Sequence, residues 1–182
     1  LMDAKSFWAL HHYCWGLIKM RRAEAIGIHP VIRQGMIRNA IADYDYVLIH
    51  GSPDFVLRPE ILLRRGEALL RIDDVGGALE SFEGAVRQRP DYWPAYVRWA
   101  EFLISVKKPK DAQAFLERGL VHAPDSPQLH AAYKKAGGDP VAFVKRLPPR
   151  PAAGPDAGAS GPAAAASAPA ASAQVASAPA AS

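Results

Sequence analysis

His11, His12 and Cys14 are side chains of metal-ligating type, close together near the N-terminus. On a helix His11 and Cys14 lie three apart and share a face, so an imidazole and a thiolate could begin a zinc or haem site. A closed zinc site needs four ligands. Cys14 is the lone cysteine, which excludes an internal disulfide, and the chain has no Cys-x-x-Cys-His haem motif. His29 and His50 complete such a site only if the fold carries them to it. The competing expectation is a buried helix bearing polar-tipped rings, with no metal and no cofactor.

Catalytic groupings are equally sparse. Asp43 and Asp45 straddle Tyr44, and Asp73 and Asp74 sit side by side. Carboxylates this close along the chain point in different directions, as solvated faces do, rather than converging as an acid–base pair. Gly76-Gly77 has neither a following Lys-Ser/Thr nor a preceding strand, so it is no phosphate loop. The expectation is a protein that is not an enzyme. The basic pairs Arg21-Arg22, Arg64-Arg65, Lys107-Lys108 and Lys134-Lys135 fall on different elements with acids between them. A nucleic-acid surface would align them on one face with stacking aromatics. The net charge of +4 permits an acidic partner without demanding one.

The elements that hold these residues are set by a repeat. Pro59 to Pro124 matches itself when displaced by 34 residues: Arg64 falls on Arg98, Glu67 on Glu101, Leu69 on Leu103, Ala78 on Ala112, Glu83 on Glu117, Pro90 on Pro124 and Asp91 on Asp125. A fixed period of this size marks an all-α solenoid of stacked helical hairpins. Gly66 and Ala100 are small where two helices cross, and Ala78 and Ala112 are small on the partner helices. Phe82, Leu116, Leu69 and Leu103 fill the space between. Pro90 and Pro124 end the second helix of each unit. Pro59, Pro94 and Pro127 suit first helical turns, where a missing N–H costs nothing.

In order, residues 4 to about 22 read as a helix, apolar on most sides and so expected to be largely buried. His12, Trp15, Gly16 and Lys19 sit at the spacing of a first repeat helix. A second helix starts at Pro30, with Ile32, Ile37, Ile41, Tyr44 and Leu48 as its inner stripe. Gly16 to Ala40 spans 24 residues against 12 from Gly66 to Ala78, which predicts an irregular turn in this divergent unit. The predicted divisions are a repeat domain over 3–147 and a disordered tail over 148–182. The domain holds the divergent unit at about 4–53, regular units at about 55–90 and 91–124, and capping helices at about 126–147. Ser126-Pro127 and Asp139-Pro140 open the last two helices, whose polar character suits a solenoid end. From 151 onward the chain is almost wholly Ala, Ser, Pro and Gly, with nothing to bury. No apolar run of about 18 residues is present, so no membrane span is expected. The first residue is Leu rather than Met, as in a mature form or a fragment of a longer precursor.

Within each unit the pattern resembles the tetratricopeptide repeat. Leu62, Arg65, Gly66, Leu69, Ala78, Phe82, Ala85 and Pro90 occupy its positions in one unit, and Tyr96, Trp99, Ala100, Leu103, Ala112, Leu116, Gly119 and Pro124 in the next. The identities depart from it at Arg65 and Leu116. The resemblance implies a right-handed superhelix whose first helices line a concave groove for a peptide or partner helix. Mapped onto this chain, that groove takes Tyr13, Leu17, Met20 and Arg21, then Leu63, Glu67, Leu70 and Arg71, then Val97, Glu101, Ile104 and Ser105. Members that clamp chaperone tails hold the terminal carboxylate with Lys and Asn. Here those places are Leu63, Glu67, Val97 and Glu101, which points away from an Hsp70 or Hsp90 tail. An apolar groove with acids would take a hydrophobic or basic segment.

His11 to Leu17, Asp54 to Leu57 and Pro90 to Pro94 also resemble a group of bacterial tetratricopeptide-repeat proteins, over roughly residues 3 to 135. That likeness leans toward the cell envelope or periplasm, with the cytoplasm as the alternative, because members often carry an export signal. The expected function is a non-catalytic adaptor or scaffold for a protein partner. The alternatives are a metal- or haem-binding envelope protein using His11, His12 and Cys14, and a structural subunit that packs through its apolar first helix.

Overall fold

The computed structural model describes residues 3–148. Within them the chain forms α1 (Ala4–Ala23), α2 (Pro30–His50), α3 (Arg58–Leu70), α4 (Val75–Gln88), α5 (Trp93–Ser105), α6 (Pro109–His122), α7 (Pro127–Lys135) and α8 (Pro140–Lys145), with no strand among the described residues. Apart from Pro148, the tail expected to be disordered lies outside them.

Local chemistry sets the helix starts. Proline stands in the first turn of α2, α3, α5, α6, α7 and α8. Side chains of Asp3, Asp74, Ser126 and Asp139 accept hydrogen bonds from otherwise unpaired N–H groups at the starts of α1, α4, α7 and α8. Asp73 and Lys107, one period apart, both take positive φ (62° and 61°) and turn the chain out of α3 and α5.

The helices pack as hairpins, α1 on α2, α3 on α4 and α5 on α6, each hairpin abutting the next through α2–α3, α4–α5 and α6–α7. α8 closes the end against α6 and α7. The small residues sit where close packing requires them: Ala40, Ala78, Ala100 and Ala112 are all 0% exposed. What the helix-crossing glycines admit is chiefly rings. A Cβ on Gly66 would meet the Phe82 ring at 2.9–3.1 Å, and one on Gly16 would collide with Tyr44. Phe82, Leu116, Leu69 and Leu103 are buried between helices, as expected.

The first unit departs from expectation in three ways. Its additional residues lengthen the helices: α1 and α2 have 20 and 21 residues against 13 and 14 in α3 and α4, and only 24–29 connect them. A helix lengthened by about two turns keeps the same face inward, so both helices of the hairpin grow together. Ile32 is exposed, whereas Ile37, Ile41 and Tyr44 are buried. Five residues rotate a helix by about 140° beyond a full turn, which takes Ile32 off the stripe that Ile37 begins. Finally, α1 is not largely buried. Ser6, Ala9, Gly16 and Ala23 are, but Phe7, Trp8 and Trp15 are 61%, 72% and 50% exposed. Small residues let α2 nest against one side of α1, and among the described residues nothing covers the other.

Candidate peptide-binding face

Across α1, α3 and α5 runs a continuous ladder of polar side chains. Tyr13 Oη donates to Glu60 Oε1 at 3.4 Å, and Tyr92 Oη donates to the other oxygen of Glu60. Arg64 Nε reaches Glu60 Oε1 at 2.7 Å, and its Nη1 reaches Glu67 Oε2 at 3.1 Å. Arg98 Nε then bridges back to Glu67 Oε1 at 2.8 Å while its Nη1 holds Glu101 Oε2 at 3.1 Å. The repeat builds this geometry. An Arg and a Glu three residues apart share one helix face, and stacking two such units one period apart places the second Arg beside the first Glu.

Most residues expected to line a groove border this ladder. Leu17 is 36% exposed. Tyr13, Leu70, Val97 and Ile104 are half-buried against the core. Arg71 pairs with Glu24 at 2.6 Å, which ties α3 to the end of α1. Leu63 belongs elsewhere: it is 3% exposed and part of the core, so it presents nothing to a partner. Glu67 and Glu101 are also not the free acids that the sequence suggested, since Arg98 engages both and Arg64 engages Glu67. Glu60, Arg64, Tyr92 and Arg98 were missed as parts of this face. The signal lies in the recurrence of Arg64 as Arg98 and of Glu67 as Glu101, which marks the repeat but does not by itself place the second arginine beside the first glutamate.

Electrostatics follow from this packing. Burial opposes the Arg64 charge, but Glu67 and Glu60 outweigh it and hold its pKa above the ordinary value. Burial, then the Glu60 charge, pushes the Tyr13 hydroxyl up to about 12. Tyr92 is raised by burial and by its hydrogen bond to Glu60, and Tyr44 chiefly by burial. A raised tyrosine pKa means that the fold favours the neutral phenol. The stabilisation is therefore whole below the ordinary value of 10.0 and is lost as pH climbs through the folded-state value. The urea midpoint is expected to fall between about pH 10 and 12, and less so in Tyr13→Phe. A midpoint that stays level to pH 12 would contradict the burial of these hydroxyls.

The His11 and His12 rings lie 4.4 Å apart, but the histidines and the cysteine are otherwise engaged separately. His12 Nδ1 lies 3.1 Å from Asp43 Oδ1, and Lys19 Nζ lies 2.5 Å from Asp43 Oδ2. The His12 ring stacks on Tyr46, centroids 3.8 Å apart. Cys14 is exposed. His29 caps α2, and His50 lies against Tyr46. Among the described residues no three His, Cys, Asp or Glu side chains are grouped so as to hold a metal ion. Of the other carboxylates, Asp45 is bound by Arg65 at 2.6 Å and Asp74 caps α4, while Asp73 holds the positive-φ turn after α3.

Comparison with known proteins agrees with this architecture. A family model for the tetratricopeptide repeat matches residues 69–136. Among curated proteins no sequence matches the chain. Two solved structures are similar. The TPR2B domain of yeast Sti1, in a structure titled as its complex with pHsp70, is 19% identical with a TM-score of 0.53, covering 72% of this chain and 97% of that one. The first TPR of Spaghetti (RPAP3), titled as bound to the HSP90 peptide SRMEEVD, is 20% identical with a TM-score of 0.46, covering 69% of this chain and 94% of that one. The 34-residue period, the stacked hairpins and the rings over small residues are features of the tetratricopeptide repeat, and over residues 69–136 the chain matches that repeat's family model.

Proposed function

We propose that the protein is a non-catalytic adaptor that holds a segment of another protein along the face of α1, α3 and α5. The observation that carries this reading is the ladder from Tyr13 to Glu101, bordered by half-buried Leu70, Val97 and Ile104. It joins three helices into one polar seam with apolar margins, a surface suited to an amphipathic segment. Along the ladder Glu60, Glu67 and Glu101 face Arg64 and Arg98, so one negative charge is left over. The preferred segment is therefore apolar with an isolated basic residue, rather than strongly basic.

The test is binding to an arrayed peptide library, followed by titration of the selected peptides in solution. Reversing both acids, Glu67→Lys with Glu101→Lys, is expected to weaken the selected peptides on the order of tenfold, since it sets like charges against their basic residue. Circular dichroism would confirm that the variant keeps its helices. Unchanged affinity in a folded variant would sink the assignment of this face.

A further inference from the structure

The first helix has a second side. Its buried side carries Ser6, Ala9, Gly16 and Ala23. Opposite them Trp8, His11, Trp15 and Ile18 recur at intervals of three, four and three residues, the spacing of a helix–helix seam. Trp8, Trp15 and Ile18 are 72%, 50% and 47% exposed, and neighbouring Phe7 is 61% exposed. Their rings are braced rather than loose. Phe7 meets Trp8 edge-on at 6.1 Å, and Trp15 meets His11 and His12 edge-on at 4.9 and 5.1 Å.

We propose that this seam is a dimer interface, on which α1 of a second copy of the chain lies antiparallel. Area is the first ground. An aromatic side chain presents about 150–250 Å², so Phe7, Trp8 and Trp15 at their exposures leave roughly 400 Å² of ring surface uncovered. Ile18 extends it to the upper end of what a monomer ordinarily exposes, about 300–600 Å². That is more than half of the ~800 Å² that each partner contributes to a standard interface.

Charge is the second ground, and it sets the direction. α1 begins at Asp3 and ends with Arg21 and Arg22. The seam from Trp8 to Ile18 has its midpoint at the level of residue 13 along the helix axis. A two-fold axis there brings Asp3 of each copy toward Arg22 of the other and opposes the two helix dipoles. Lys5 lies on the same side of the helix as Gly16, away from the seam. A parallel pairing would instead set the arginines against one another. The inference is independent of the peptide-binding proposal, because the seam faces away from Tyr13 and its ladder.

The experiment is sedimentation equilibrium of the full chain over a wide concentration range, with cross-linking by a short bis-maleimide. Cys14 is exposed, is the lone cysteine, and sits one residue from the proposed axis. The expected results are a reversible dimer, a Cys14–Cys14 cross-link, and a dissociation constant raised on the order of a hundredfold by Trp8→Glu with Trp15→Glu. Both tryptophans are exposed, so this variant should keep its helices and its affinity for array-selected peptides. A monomer at every concentration would overturn the proposal. So would a dimer that the double variant leaves intact, or a monomer that uses the two tryptophans to bind anionic lipid vesicles.

Discussion

Phe82→Ala is expected to lower the unfolding free energy by about 3–5 kcal/mol, read from urea denaturation of the full chain. Phe82 has no exposed surface. Its ring fills the space above Gly66 and lies 5.8 Å from the ring of Trp99 in the following hairpin. Truncation therefore opens a cavity within one hairpin and at its junction with the next. The surrounding helices are held by their own contacts on other sides, so collapse around the cavity is incomplete and its cost persists. A loss below about 1 kcal/mol would mean that the α3–α4 crossing is not where the ring is buried.

The complementary change, Gly66→Leu, is expected to cost about 1–3 kcal/mol or more by overpacking. A Cβ at this position already falls 2.9 Å from the Phe82 ring, before any branch is added. The two changes should not add. With Phe82 truncated, the leucine enters the vacated volume, and the double variant should be more stable than the sum of the single effects by roughly 0.5–3 kcal/mol. Simple additivity would show that Gly66 and Phe82 do not share a space. The first unit repeats the arrangement with Gly16 beneath Tyr44. At the equivalent positions of the next unit stand a less small residue and a less large one, Ala100 and Leu116, both fully buried.

This pairing of small with large explains why so much of the architecture could be read from residue types alone. Gly66 and Phe82 are 16 residues apart, as are Ala100 and Leu116, and a fixed separation within a hairpin makes one crossing legible twice. The face was less legible. Arg64 and Glu67 are visible as helix neighbours, yet the bond from Arg98 to Glu67 exists only because one hairpin stacks on another at a particular distance. That single contact changed Glu67 from an acid offered to a partner into a rung of an internal ladder. Leu63, assigned to the groove by its position in the repeat, turned inward to the core for the same reason.

What the amino-acid sequence determined by itself was the set of local rules: where helices begin at prolines and caps, where they end, which positions must be small, and that the hairpin recurs. These depend on backbone geometry and on neighbours within a few turns. The tertiary structure alone decided which apolar surfaces are covered. Phe82 and Trp8 are both large aromatic side chains on helices, yet one is fully buried and the other 72% exposed. Hydrophobicity states a preference for burial, but only the stacking of hairpins supplies the neighbour that satisfies it, and α1 has α2 on one side and no described element on the other.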